Sequence, residues 1–414
     1  MPPSSNALAV RRRQIVLTGA VLVALSGPGQ TAGFSVFVDP LLEALDVSRS
    51  GLTVSYLIGT LAASTTGTWL GSLTDRRAMS TVVRLVSVAL ALAVLVAAAS
   101  VNIVMLTVAV YGLRSFGQTG MTLSASVFVA RSVERRRGAA LGLLTAVGGS
   151  AIALTPLIGS RLVDAIGWRW AWMVLGAMVF VVGNLTAVVV GRLERSVDEA
   201  VVETEGHDRR ERVVVPSAPW SLRRNGFVLV ATAFTCNGVV ATALAFHQIA
   251  ILGERGLDAT AAAANFLPQS LAAAAVALGV GRMVDRLSGR WVLASSMVLL
   301  AIATLSVTRI EGSVAAVTFG ALLGSATAAT ASSEGALLVR WVGTDRLGTL
   351  RGRMMTVVVI GTALAPLGFE LLATATGSFT AAARWLALLP TIVALGALMI
   401  KLPAESVDGC AKMR

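Results

Sequence analysis

The chain has 414 residues, 55% hydrophobic and 14% charged, with a formal net charge of +12 and a mean hydropathy of +0.78. Uncharged stretches such as Ser87 to Val101 and Val357 to Phe369 exclude a soluble helical fold, in which charge interrupts each apolar stripe. A nucleic-acid-binding domain is excluded as well, because the positive residues are neither gathered on one segment nor interleaved with aromatics.

About twenty apolar residues span a bilayer, and the chain supplies twelve such spans, at 15–38, 52–70, 80–100, 103–130, 138–160, 168–190, 226–250, 262–281, 291–309, 313–339, 353–373 and 381–400. The arginine-rich start resembles a signal peptide. However, Ile15 to Val38 is long, lacks a small-residue cleavage site and precedes eleven more spans, so it is read as the first helix. Of the 34 lysines and arginines, 27 fall at or beyond the span ends on the side of the termini and six on the other, with Arg114 alone at the centre of a span. The positive-inside rule then predicts a multi-pass protein of the cell membrane with both termini cytoplasmic. The expected fold is all-α integral membrane, with twelve transmembrane helices in two six-helix pseudo-symmetric halves.

In chain order, the first span carries Ser26-Gly27-Pro28-Gly29-Gln30 at its centre, where proline and glycine weaken the helix and free carbonyls. Either a binding site with Gln30 on the substrate or a simple kink with close packing fits that segment. In the fourth span, Tyr111, Arg114, Gln118 and Thr122 fall at helical spacing and predict one polar stripe along a cavity. Arg114 lies ~17 Å deep by helix rise, where a cation must face water or a partner. It is read as a substrate ligand, or else as a structural arginine on the carbonyls of a broken helix.

The polar stretch Gly191 to Asn225 separates the halves, giving an N-terminal six-helix half over 1–190, a cytoplasmic linker over 191–225, and a C-terminal half with its tail over 226–414. In the seventh span, Asn237 and His247 are candidate substrate ligands, His247 alternatively being a solvated residue at the interface. Cys236 lies in the same span and Cys410 in the tail, so neither a disulfide nor a metal framework is expected. Glu334 in the tenth span is the candidate proton carrier or, alternatively, a partner for a loop arginine. Asp39 and Glu370 are expected at the interfaces.

Internal repeats relate the halves. Gly71-x-Leu73-x-Asp75-Arg76 recurs as Gly281-x-Met283-x-Asp285-Arg286, and Pro156-Leu157 recurs at the same displacement as Pro366-Leu367, the pattern of parallel repeats. Gly29-Gln30-Thr31 also recurs as Gly117-Gln118-Thr119, which predicts that helices 1 and 4 face one another across a cavity.

The loop Gly71-Ser-Leu-Thr-Asp75-Arg76-Arg77, with its second copy, resembles the signature loop of the major facilitator superfamily over nearly the whole chain. Arg114-x-x-Gly117-Gln118, Arg135-Arg-Arg-Gly138-x-Ala140-x-Gly142, Gly167-Trp168-Arg169 and Leu347-Gly348-x-x-Arg351-Gly352 resemble its monocarboxylate and oxalate/formate transporter-like branch. The chain departs from that pattern at Ala78 and in lacking a central cation in helices 8 and 11. The resemblance implies that Gly71, Asp75 and Arg76, with Asp285 and Arg286 as weaker counterparts, form a conformational latch.

The only lysines are Lys401 and Lys412, so no phosphate-cradling loop for ATP exists. The histidines His207 and His247 form neither a metal cluster nor a nucleophile–base pair, so no enzyme and no cofactor is expected. The expected function is secondary transport of a small organic solute, an organic anion such as a monocarboxylate, by alternating access with proton coupling or exchange. Proton-antiport efflux of a hydrophobic compound is the alternative, and a transport-inactive membrane sensor a further one. The expected partners are the small-molecule substrate, the lipid bilayer and protons, with no nucleic acid and a monomeric chain.

Overall fold

A computed structural model of the chain describes residues 5–133, 137–202, 220–286, 288–342 and 347–401, and these form twelve membrane-length helical rods. Rod α1 covers 5–45 in four pieces: Ser5–Leu25, a 3₁₀ turn at Gly27–Gly29, Thr31–Ser35 and Val38–Leu45. Then come α2 (Arg49–Arg76), α3 (Met79–Ala98), α4 (103–132), α5 (137–166) and α6 (Trp168–Val202). The later rods are α7 (220–253), α8 (259–286), α9 (289–309), α10 (Ser313–Val342), α11 (Leu347–Thr376) and α12 (379–399). Helix extends into the segment expected to be a linker, since α6 reaches Val202 and α7 starts at Trp220.

Among the described residues, eight of these rods are by themselves long and apolar enough to cross a membrane. The remaining four are α1, α2, α4 and α8. Of these, α1, α4 and α8 are interrupted, and α2 is continuous but rich in serine and threonine, with Thr53, Ser55, Thr60, Thr66 and Thr74 buried. The apolar rods instead turn large side chains outward, including Leu92, Leu185, Ile302 and Ile392. Such an apolar surface is a liability in water and the right one in hydrocarbon.

The chain divides into two compact units, Met1–Asp208 with Asp258–Leu267, and Arg209–Leu257 with Pro268–Arg414. Inside the first unit α1 packs on α5 and α4, α3 on α6, and α3 on α4. Inside the second, α7 packs on α11 and α10, α9 on α12, and α9 on α10. Each pair in the first unit thus has its counterpart six helices later, as the sequence repeat requires.

Helix starts are held by caps, each worth about 0.5–2 kcal/mol. Ser48 accepts from the Gly51 amide at 3.1 Å, Asn102 from Met105 at 2.9 Å, Asp258 from Ala261 at 2.7 Å and Ser378 from Ala381 at 3.0 Å. Two starts use a carboxylate from elsewhere in the chain. Glu194 on α6 accepts from the Met79 and Ser80 amides at 2.9 and 3.2 Å. Glu254, after α7, accepts from Phe379 and Thr380 at 3.0 and 3.1 Å. A negative charge at a helix N-terminus also opposes the helix dipole.

The repeated Gly-Gln-Thr segments meet by direct contact rather than across a cavity. A β-carbon on Gly29 would lie 2.7 Å from Gly117 Cα and crowd the Leu113 carbonyl, and one on Gly117 would lie 2.7 Å from Gly29 Cα. Only glycine at both positions lets the two backbones approach this closely, as small residues do between membrane helices. Gly29→Ala or Gly117→Ala is therefore expected to destabilise the protein by about 1–3 kcal/mol through overpacking. Gly149→Ala, with open space around its β-position, should be neutral or slightly stabilising because alanine favours helix. Thermal unfolding of the three variants in detergent checks this.

Candidate functional site

The first unit gathers polar groups where α1 is broken. Pro28 has no N–H to donate, and Gln30 adopts an extended backbone (φ −83°, ψ 150°) between the 3₁₀ turn and the next helical piece. The break is held by its own side chains: Ser26 Oγ donates to the Val23 carbonyl at 2.6 Å, and Gln30 Nε2 donates to Ser26 Oγ at 2.9 Å. It also turns the Gly29 carbonyl toward α4.

There, Leu113–Met121 forms a π-helical run between the α-helical pieces Ile103–Gly112 and Thr122–Ser132. Such i→i+5 segments are rare and recur at functional sites. Arg114 sits in this run at 5% exposure. Its Nη1 donates to the Gly29 carbonyl and to Thr31 Oγ1, both at 3.2 Å, and its Cζ lies 5.3 Å from the centre of the Tyr56 ring, within cation–π range. The Thr31 and Tyr56 hydroxyls are 2.9 Å apart. Arg114 Nε and Gln118 Oε1 are buried with no protein hydrogen-bond partner among the described residues.

The expected single stripe along α4 is corrected by this geometry, because the π run changes the angular step and sends its members to different neighbours. The Tyr111 hydroxyl is 3.1 Å from Thr66 Oγ1 on α2, and Ser115 Oγ donates to the same atom at 3.2 Å. The Thr122 hydroxyl turns back onto the Gln118 carbonyl. Of the four, Arg114 is the one whose side chain is hydrogen-bonded at the break in α1, while Gln118 lies against Gly29 through its backbone. Sequence reasoning missed Thr31, Tyr56 and Thr66. A signal for one was present: the chain has two tyrosines, and both belong to this cluster.

In the second unit, Asn237 is buried on α7, and its Oδ1 has no protein hydrogen-bond partner among the described residues. His247 marks the break between Trp220–Phe246 and Gln248–Gly253. It is 1% exposed rather than solvated at an interface, because α7 continues for another turn beyond it. Its Nε2 is 3.0 Å from the Pro366 carbonyl, and its Nδ1 is 3.8 Å from Glu370 Oε2. Glu370, expected at the interface, is likewise buried at 7% exposure. The reason is length, since α11 runs on to Thr376, about 9 Å further by helix rise. Asp39 is exposed, as expected, and paired with Arg49. Glu334 is buried on α10 at 3% exposure, more deeply desolvated than its distance from the helix end implied.

The structure brings Gln30, Tyr111, Arg114 and Gln118 into one neighbourhood of the first unit, with Asn237, His247 and Glu334 all in the second. At the arginine-rich end of the first unit, Gly71 has open space around it, and Arg76 is the exposed last residue of α2. The side chain of Asp75 lies outside the described residues, as do those of Asp285 and Arg286, whose backbone closes α8. Sequence reasoning passed over Arg131 here: its Nη1 donates to the Thr74 carbonyl at 2.7 Å, tying the end of α4 to the end of α2.

Comparison with known proteins adds three findings. The Major Facilitator Superfamily profile matches residues 20–279. An MFS-type efflux pump of Mycolicibacterium smegmatis is 28% identical over 184 residues, 42% of this chain and 40% of that protein. The MFS-type transporter ppz2 of Metarhizium majus is 34% identical over 92 residues, 21% of this chain and 16% of that protein. The chain thus matches less than half the length of either relative. Among solved structures, a bacterial homolog to the human lysosomal transporter Spinster, in inward-facing unoccupied and occupied conformations, superposes with TM-scores of 0.67 and 0.68. Identity is 14% in both cases, with 94% of this chain and 95% and 96% of those chains covered, so the likeness is one of fold. Because the profile covers more than half of the sequence and the twelve-helix fold agrees with it, this multi-pass membrane protein belongs to the Major Facilitator Superfamily of transporters.

Proposed function

We propose that the protein is a secondary transporter of a small organic anion of the monocarboxylate class, with Arg114 as the counter-charge for the substrate carboxylate. One observation carries this reading. A guanidinium buried within a membrane span has a carbonyl, a hydroxyl and an aromatic face around it, but no carboxylate within ion-pair distance among the described residues. A cation in hydrocarbon calls for an anion, and the orphaned Nε supplies a donor for one. Gln118, Gln30 and Tyr111, on the same two rods as the guanidinium and its carbonyl partner, are the proposed amide and hydroxyl ligands of a small polar molecule, and Asn237 is a separate amide candidate of the second unit. Alternating access moves the anion, coupled to protons or by exchange, with Glu334 as one candidate for the proton.

A second reading, proton-antiport efflux of a lipophilic compound, is favoured by the printed description of the Mycolicibacterium smegmatis relative as an efflux pump. The two separate in a thermal-stabilisation assay. A ligand at 100 times its dissociation constant adds about 2.7 kcal/mol of stability. Lactate, pyruvate and oxalate are expected to stabilise the wild type and to leave Arg114→Ala unshifted. Stabilisation of both proteins by lipophilic cations alone overturns the anion reading and leaves efflux.

The loop Gly71, Asp75 and Arg76, with Asp285 and Arg286 as its weaker copy, is proposed as the latch that holds the arginine-rich, cytoplasmic side closed in the outward-facing state. The bond from Arg131 to Thr74 supports this, since a cation on a helix C-terminus fixes two helix ends together. Asp75→Asn is expected to shift the balance toward the inward-facing state, read as increased labelling of cysteines introduced on the substrate pathway. Labelling identical to wild type sinks the latch.

A further inference from the structure

Outside the Arg114 cluster, the second unit holds a buried imidazole beside a buried carboxylate within membrane-spanning helices, and the charge chemistry of the first site uses neither. His247 has 0% and Glu370 10% of its side chain exposed, with Nδ1 and Oε2 3.8 Å apart. The imidazole is fixed from its other side by the Pro366 carbonyl at 3.0 Å. Its ring lies 4.9, 5.8 and 4.6 Å from the rings of Phe246, Phe369 and Phe379. Aromatic rings therefore pack around the imidazole of an imidazole–carboxylate pair, two groups that can hold one proton between them.

We propose that His247 and Glu370 together form the proton-carrying site of the transporter, binding one proton per cycle as a unit. Without the proton the pair carries one net negative charge in an apolar setting. With it the pair is neutral, as Glu370 carboxylic acid beside neutral imidazole. No other bond is made or broken: the proton enters from water on one side of the membrane and leaves to water on the other. Neutralisation removes the cost of holding an anion in a dry environment, so the closed, aromatic-packed arrangement favours the loaded pair and a wetter one releases it. The break in α7 at His247, and Pro366 inside the otherwise continuous α11, weaken helical hydrogen bonding next to the pair, where α7 and α11 can bend.

The charged groups on the surrounding elements, among the described residues, include Glu254 and Arg255 at the end of α7, Arg309 at the end of α9, Glu311 in the following turn, Glu334 on α10 and Arg384 on α12. Glu254 is engaged by the Phe379 and Thr380 amides and Arg255 by the Thr308 carbonyl. These bonds give both groups fixed roles at the helix ends.

The inference rests on the transporter reading but not on the substrate, and its test begins without one. Infrared difference spectra of the purified full chain between about pH 5 and 8 should show a carboxylic-acid carbonyl band that titrates. That band is expected to be lost in Glu370→Gln and to shift its midpoint in His247→Gln, which retains an amide donor for the Pro366 carbonyl. A band that persists in Glu370→Gln, or one that disappears only in Glu334→Gln, overturns the assignment. In proteoliposomes, with radiolabelled lactate as the probe, Glu370→Gln is expected to lose uptake driven by a pH gradient and to keep lactate–lactate exchange. Gradient-driven uptake at the wild-type rate in that variant also overturns it. If the wild type moves no lactate in either assay, the monocarboxylate reading fails while the infrared result still decides the proton site.

Discussion

A guanidinium placed at the centre of a membrane helix costs about 2.5–3.5 kcal/mol on insertion scales, and the interior of the first unit is organised around meeting that cost. The helix of α1 gives up its regular hydrogen bonding at Ser26–Gln30, so that the Gly29 carbonyl becomes available to Arg114. Thr31, which begins the next helical piece, adds a hydroxyl, and Tyr56 on α2 adds a ring face. None of this would reach the guanidinium if α1 and α4 stood at the usual separation of packed helices, about 8–10 Å between axes. Glycine at 29 and 117 removes the two side chains that would hold them apart. Breaking α1, winding α4 as a π-helix and using glycine at the crossing are thus one solution to one electrostatic problem.

The two units share a packing scheme and differ in charge. Among the described residues, Arg114 is the buried charged side chain of the first, while Glu334 and Glu370 are those of the second. A repeated scaffold that carries its cation in one copy and its acids in the other can bind an anion with one and titrate with the other.

Much of the fold could be read from the sequence, because a bilayer imposes length and hydropathy on every span; the twelve rods coincide with the twelve apolar runs. The loop repeat around Asp75 and Asp285 foretold a shared scaffold for the same reason: equivalent chain segments meet equivalent surroundings. What escaped is local. A polar pattern of Tyr111, Arg114, Gln118 and Thr122 presupposes an α-helical step, and nothing in the residue types of 113–121 announces a π-helix, whose stability comes from tertiary bonds to α1 and α2. Glu370 looked interfacial because sequence gives distance to a helix end and not which face the side chain occupies. Thr66 belongs to a continuous helix with many similar hydroxyls, so only its neighbours distinguish it, whereas Tyr56 was marked by the rarity of tyrosine in the chain.

The π run also has a consequence for the far end of α4. Each residue of an α-helix advances the chain by about 100° of rotation, and each wide turn absorbs an additional residue. The azimuth of Thr122–Ser132 is therefore set by how many residues the run contains. Shortening it by one would swing that whole segment about a quarter-turn and carry Arg131 away from the Thr74 carbonyl. The backbone register around Arg114 and the tie between α2 and α4 at the arginine-rich end are thereby geared together. A slip between π and α winding at the centre would be transmitted as rotation to the edge of the membrane.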